Sequence, residues 1–244
     1  MVLAQVGRRF RALRDALAQS SQADARVLLS MLGFVFCVWT FVVLAGAVTQ
    51  KRTDTLDARL LRFFRDPHDL AAPRGPEWLP EVIRDITALG SAPVLALFVL
   101  AVAGSLLVRR QHHALALLLV ATLGGEALNL ALKGFYDRPR PDLVPHLTAV
   151  DSPSFPSGHA QESAVIYFTL AAMLARLVEP RRLKLYFLGL AALFSFLVGM
   201  SRVYLGVHYP SDVLAGWTAG LAWAVLSWTV ASYLQRQGSV EQAK

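Results

Sequence analysis

Lys133, Arg140, His159, Arg202, His208 and Asp212 are the residues of this 244-residue chain whose types and spacing suit a single piece of chemistry. Lys133 and Arg140 stand seven residues apart, Ser157 and Gly158 precede His159, Ser201 precedes Arg202, and His208 and Asp212 are four apart. The chemistry is phosphoryl transfer. A phosphate dianion needs several fixed donors, and lysine supplies a point charge while arginine supplies a planar fork matched to two phosphate oxygens. A positioned histidine serves as nucleophile or as general acid, and two histidines allow one of each. Pro210 favours a helix beginning nearby, so His208 and Asp212 straddle its start. The carboxylate then accepts the Nδ1 proton of His208 and leaves Nε2 free to attack phosphorus, the orienting logic of a catalytic triad applied to a histidine nucleophile. His159 is left to protonate the departing oxygen.

Such residues act together only if the fold gathers them, and composition indicates how. The chain is 55% hydrophobic and 17% charged, with a mean hydropathy of +0.46, whereas a soluble domain carries about 25% charged residues. Disorder is excluded, because disordered chains are poor in apolar residues. The lone Cys37 excludes an internal disulfide framework and a Cys-rich zinc site. The net charge of +7 raises nucleic acid as a partner, but the basic residues lie in loops between long apolar runs and no binding motif occurs. A bilayer-spanning helix needs about 20 mostly apolar residues. Six stretches qualify, at 27–49, 86–108, 114–132, 163–178, 183–200 and 213–233, the fourth and fifth being short. The expected fold is all-α, a bundle of six transmembrane helices spanning 27–234, preceded by a basic segment at 1–26 and followed by a tail at 235–244.

Charge sets the expected orientation. Positive loops mark the cytoplasmic side; the short loops at 109–110 and 176–184 carry two and four Lys/Arg, on the same side as the N-terminus. Both chain ends are therefore expected inside, and loops 50–85, 133–162 and 201–212 outside. Residues 1–26 hold Arg8, Arg9, Arg11, Arg14 and Arg26 without an early apolar region. They read as a basic amphipathic helix or a solvated tail, not as a secretory signal. In loop 50–85, Leu56, Leu60, Leu61, Phe63 and Phe64 cluster at helical spacing among arginines, which predicts a helix lying in the interface. With this topology four helix ends meet at the outer face: the end of the third, the start of the fourth, the end of the fifth and the start of the sixth. They bring Lys133, Arg140, Ser157, Gly158, His159, Ser201, Arg202, His208 and Asp212 to one depth. The fourth helix N-terminus adds backbone N–H groups, with Gly158 allowing close approach.

The arrangement resembles the type 2 phosphatidic acid phosphatase (PAP2) family. Lys-x6-Arg-Pro is here Lys133 to Arg140-Pro141; Pro-Ser-Gly-His is Pro156-Ser157-Gly158-His159; and Ser-Arg-x5-His-x3-Asp runs from Ser201-Arg202 through His208 to Asp212. All three occur in family order within about residues 120–220. The resemblance implies an integral-membrane, metal-independent phosphatase of lipid phosphates or diphosphates that needs no cofactor. It implies a phosphohistidine on His208, oriented by Asp212, with His159 as acid for the leaving group and then base for water. Lys133, Arg140 and Arg202 hold the phosphate, and Ser157 and the Gly158 N–H add hydrogen bonds. The expected location is a bacterial inner membrane with the site facing outward, and undecaprenyl diphosphate is then the first-choice substrate. Phosphatidylglycerophosphate and phosphatidic acid follow, and a phosphotransferase is the nearest rival.

Taken singly, several of these residues have plainer readings. Lys133 could be a lysine snorkelling from a helix end, Ser157 an N-cap, Asp212 a first-turn acid suited to the helix dipole, and Arg138 an ordinary loop charge. Glu126, Asn129 and Lys133 share one helical face at about 100° per residue, which predicts that Glu126 sits below the site and holds Lys133. Ser201 is likewise expected to support the site. Trp217, Trp223, Trp228 and Tyr233 read as lipid-facing or belt aromatics. An intramembrane serine protease with Ser157 as nucleophile leaves the three cations unexplained. A channel or transporter would carry its ionisable groups at mid-membrane. His208 and Asp212 make a poor zinc site without further His or Cys.

Overall fold

The computed structural model describes residues 2–236, with side chains described for residue 25 and for 27–234. It holds eight helices: α1 (Val2–Thr49), α2 (Asp54–Phe63), α3 (Leu79–Ala88), α4 (Ala92–Val108), α5 (His112–Tyr136), α6 (Gly158–Arg176), α7 (Arg181–Tyr204) and α8 (Pro210–Arg236). Among the described residues there is no strand, only an isolated bridge between Arg65 and Pro73. The basic face expected in 1–26 and the tail beyond 236 lie outside the described residues.

Four helices are long and apolar enough to cross a membrane: Val27–Thr49, His112–Tyr136, Arg181–Tyr204 and Pro210–Leu234. A fifth crossing is possible by length if α3 and α4 are taken together. The expected unbroken span at 86–108 is not what forms, because the chain bends by 43° between Leu79–Ala88 and Ala92–Val108. Ser91 is extended and a proline occupies the first turn of α4. It lacks the N–H that would continue the preceding helix. The stretch expected as the fourth span lies within α6, whose opening turns, Gly-His-Ala-Gln-Glu-Ser, are too polar for that helix to qualify alone.

α6 forms the centre of the bundle, packed on α5, α7 and α8, whereas α1 packs chiefly on α8 and leaves most of the side chains of residues 27–49 outward. Outward apolar side chains such as Leu29, Phe36 and Trp39 on α1 suit a hydrocarbon surround. α6 and α8 approach so closely that side chains are excluded between them. A Cβ on Gly216 would lie 2.6 Å from the Ser157 carbonyl, and one on Gly220 would collide with the Gln161 carbonyl. Small residues allow this kind of contact in membrane bundles.

Two of the four tryptophans and tyrosines expected at the lipid face of the last helix turn inward instead. Trp217 Nε1 donates to Ser195 O on α7 at 3.1 Å, and Trp223 Nε1 to Ala121 O on α5 at 2.9 Å. An indole N–H seeks a partner when buried, and both find one on a neighbouring helix. Trp228 lies 3.8 Å from the Arg176 guanidinium, while Tyr233 is exposed.

Candidate active site

Helix ends carry the site. α5 stops just after Lys133 because Asp137 takes a left-handed conformation, with φ of 41°, and its N–H closes on Lys133 O at 2.9 Å. Such a cap turns the chain sharply, here into Arg138-Pro139-Arg140-Pro141. α7 ends at Tyr204, and Gly206, at φ of 76°, reverses the chain toward Pro210 at the first position of α8. Ser157 N–H donates to the Asp212 carbonyl at 3.0 Å, which ties the start of α6 to the start of α8. His208 sits between α7 and α8, and Arg202 in the last turn of α7.

His208 is almost wholly buried, at 2% exposure. Its Nε2 lies 3.3 Å from Arg140 Nη1, which also donates to Val207 O at 2.8 Å. A guanidinium has donors only, so Nε2 accepts and the ring proton resides on Nδ1. On that side the sequence expectation is modified. Asp212 Oδ2 is 3.6 Å from Nδ1, beyond a hydrogen bond. Ser154 Oγ stands between them, 3.4 Å from Nδ1 and donating to Asp212 Oδ2 at 2.5 Å. Asp212 Oδ2 also accepts from Tyr209 N–H at 2.9 Å. Burial, then Arg140, Arg202 and Lys133, hold the His208 imidazole well below its ordinary pKa, so the ring is neutral at pH 7.

The cations surround this ring. Lys133 Nζ donates to Ser152 Oγ at 3.3 Å and to Pro153 O, and Arg140 Nε donates to Ser152 O at 2.7 Å. Arg202 Nη1 donates to Thr87 Oγ1 at 3.1 Å. His159, in the first turn of α6, is within electrostatic reach of Arg202, His208, Arg140 and Lys133. Among the described residues, Ser157 Oγ and Arg202 Nε are buried without a hydrogen-bond partner. Ser157 occupies the N-cap position of α6 but makes no side-chain cap. A Cβ on Gly158 would sit 3.1 Å from Asn129 Oδ1 and 3.3 Å from Glu162 Oε1, so its bare backbone is the site's closest approach to that polar floor.

Other expectations come out differently. Glu126 hydrogen-bonds Glu162, while the hydrogen bonds of Lys133 go to Ser152 and Pro153. α6 supplies a second carboxyl that the sequence reading had not placed there. Asn129 Nδ2 donates to Gln161 Oε1 at 3.0 Å, linking α5 to α6. Ser201 Oγ donates back to Val198 O at 2.6 Å within its own helix. Arg138 is no ordinary loop charge: Nη1 donates to Asp212 Oδ1 at 2.6 Å and Nη2 to Asp57 Oδ2 at 3.1 Å. Ser154, Asp57 and Thr87 escaped the sequence reading because they fall outside the motifs. Asp57 did leave a signal. Asp57, Leu61 and Arg65 are spaced by four and form one stripe, all of it buried. Among the described residues no group of three or more His, Cys, Asp or Glu is placed to hold a metal.

Comparison with known proteins follows the same residues. A family model described as the PAP2 superfamily matches residues 114–236. The phosphatidylglycerophosphatase B of Bacillus subtilis (strain 168) is 35% identical over 187 residues, covering 74% of this chain and 86% of the relative. An undecaprenyl-diphosphatase of Sulfolobus acidocaldarius is 40% identical over 67 residues, 28% of each chain. The crystal structure of a transmembrane PAP2 type phosphatidylglycerolphosphate phosphatase from Bacillus subtilis superposes with a TM-score of 0.72 at 28% identity, covering 86% of this chain and 98% of that one. The serine-protease reading falls, as Ser157 Oγ makes no hydrogen bond to either histidine among the described residues. The family match encloses every residue that the sequence singled out for phosphate chemistry, and the chain belongs to the PAP2 superfamily as one of its membrane phosphatases.

Proposed function

We propose that this protein hydrolyses a lipid phosphate through a phosphohistidine on His208, with phosphatidylglycerophosphate as the first substrate to test. The observation that carries the mechanism is the geometry of the buried His208 ring. Its Nε2 faces Arg140 Nη1 at 3.3 Å, and its Nδ1 side is backed by Ser154 and Asp212. A phosphate entering between His208 and the cations exchanges the Ser152 and Pro153 partners of Lys133 and Arg140 for its own oxygens. Ser157 Oγ and Arg202 Nε offer it further donors. Nε2 attacks phosphorus, the bond to the lipid oxygen breaks, and His159, having taken up a proton as the negatively charged phosphate binds beside it, gives that proton to the departing oxygen. His159 then takes a proton from water, whose oxygen attacks phosphorus and releases Nε2 and phosphate. Fixed donors aimed at developing charge are the usual source of most of such a rate enhancement. No metal is required in this scheme.

Glu126 and Ser201 support the helix ends in this reading and do not touch the phosphate. α6 is the fourth of six crossings, and both chain ends lie on the cytoplasmic side, supported by the basic loops at 109–110 and 176–184. The site opens on the outer face of a bacterial inner membrane, and α2 lies in that interface. The choice of phosphatidylglycerophosphate over undecaprenyl diphosphate rests on similarity along most of the chain against similarity over 28% of it.

The test is phosphate release by purified protein in detergent with EDTA, from phosphatidylglycerophosphate, phosphatidic acid and undecaprenyl diphosphate. His208→Ala is the control, with acid-quenched trapping of phosphohistidine. The expected result is release and trapping by the unaltered protein alone, fastest with phosphatidylglycerophosphate. Release that survives His208→Ala, or that needs added metal, overturns the mechanism. A faster reaction with undecaprenyl diphosphate overturns the substrate choice only.

A further inference from the structure

We infer that Asp57, on the outer-loop helix α2, is a positioning residue of the active site that acts through Arg138 on Asp212; the inference rests on the phosphohistidine reading above. Asp57 is 1% exposed although it lies on a short helix in a loop. Burying a carboxylate is costly unless it is paired and hydrogen-bonded, and every interaction it makes points to the site. Oδ2 accepts from Arg138 Nη2 at 3.1 Å and from Ser211 Oγ at 2.6 Å, while Oδ1 accepts from Ser211 N–H at 3.0 Å. Ser211 is in the first turn of α8, one residue before Asp212. Asp57 therefore supplies from a distant segment the negative charge that favours a helix N-terminus.

Arg138 is held between two carboxylates. Nη2 meets Asp57, Nη1 meets Asp212 Oδ1 at 2.6 Å and Ser211 Oγ at 2.9 Å, and the guanidinium lies 4.1 Å from the centre of the Tyr209 ring. With Nη1 fixed on Oδ1, the other oxygen of Asp212 is turned to Ser154 and the Nδ1 side of His208. Removing the charge at position 57 leaves Arg138 free to withdraw from Asp212, and the backing of His208 loosens with it.

The rest of α2 is built to seat that carboxylate. Leu61, one turn on, is fully buried in the cluster of Ala160, Val203 and Val213, which joins α6, α7 and α8. Arg65, a further turn on, is buried and donates to Tyr204 O at 2.8 Å and Pro145 O at 3.3 Å. The opposite face exposes Leu56 and Phe63. One edge of α2 thus fastens three parts of the catalytic end, and Asp57 is the member that reaches the charge network.

The test is Asp57→Asn in full-length protein, assayed by steady-state turnover and by the single-turnover rate of phosphohistidine formation. Thermal unfolding is followed in the same detergent. We expect kcat and phosphohistidine formation to fall together by about 10- to 100-fold, the loss that follows a small misplacement of a reacting group, with KM little changed and the protein folded. Leu56→Ala, on the outward face, leaves kcat unchanged. In an Arg138→Gln background, Asp57→Asn adds no further loss, because coupled residues are non-additive. Unchanged kcat in folded Asp57→Asn overturns the inference. So does a loss of activity that matches the loss of folded protein, or a full additional loss in the Arg138→Gln background. If the unaltered protein forms no phosphohistidine, the underlying mechanism has failed, not this inference.

Discussion

Two sides of His208 treat buried and half-buried arginine in opposite ways. On the Nδ1 side, Arg138 lies between Asp57 and Asp212, with a hydroxyl and an aromatic ring completing its surroundings. On the Nε2 side, the hydrogen bonds of Arg140, Arg202 and Lys133 end on carbonyls, hydroxyls and the His208 ring itself, with no carboxylate among them. A buried charge without its counterion is expensive, and a dianion entering this side would provide one. The side paired with carboxylates is scaffold in the proposed mechanism, and the side whose cations hydrogen-bond to no carboxylate is where that mechanism puts the phosphate. The same residue type therefore serves two purposes a few ångströms apart, and only the distribution of carboxylates tells them apart.

Substitutions that act on one side only can break this distinction. The largest effect belongs to the residue between them. His208→Ala should lower kcat by about 10⁴-fold or more, as removal of a nucleophile does, in protein that still unfolds cooperatively; ordinary turnover would end the mechanism. Next, Arg202→Gln should lower kcat/KM by about 10² to 10³-fold without loss of thermal stability, since it removes a buried charge that lacks a counterion. A large stability loss in that variant would place Arg202 in the scaffold. On the other side, Arg138→Ala should cost about 3–5 kcal/mol of stability, the usual result of breaking a buried ion pair, measured by denaturant unfolding in detergent. A stable Arg138→Ala protein would remove the contrast altogether.

The smallest effect is in the pH profile. His208 is held neutral by burial and by the cations, so the acid limb that reports its protonation should lie below pH 6.5. Arg140→Gln removes one of those cations, raises the imidazole pKa and should shift that limb to higher pH by about one unit. A limb that moves to lower pH, or not at all, would show that Arg140 does not act on His208 in this way.

What the sequence made legible was the set of groups that phosphate chemistry requires. Lys133, Arg140, His159, Arg202, His208 and Asp212 stand at fixed spacings within or just beyond helix ends, so the helical period alone carries most of their placement. The groups that hold them are another matter. Ser154 and Asp212 are 58 residues apart, and Asp57 and Ser211 are 154 apart. Contacts of that separation depend on how the outer loops fold, and loop conformation has no period to read. Apolar content and helix extent also part company, although the motif residues Ser157, Gly158 and His159 do mark where α6 begins. An apolar-window reading stops α6 at Ser163, but the helix runs back to Gly158 because packing against α5 and α8 buries Gln161 and the polar first turns. The break at Ser91 lies inside an apolar run, where hydropathy alone carries no sign of the bend.

The bare seam between α6 and α8 separates two things that otherwise change together. His159 and Asp212 are mounted on helices that meet at Gly216 and Gly220, where the backbone of Ser157 and Gln161 and the methyls of Ala160 and Ala164 leave no room for a larger side chain. Residues 27–49 of α1, by contrast, turn most of their side chains outward to the hydrocarbon. Substitutions along the outward face of residues 27–49 of α1 therefore change what the bundle presents to the membrane without moving the histidine and the carboxylate relative to each other. The histidine and the carboxylate are held as a fixed part, and the lipid-facing surface of the bundle can change around it.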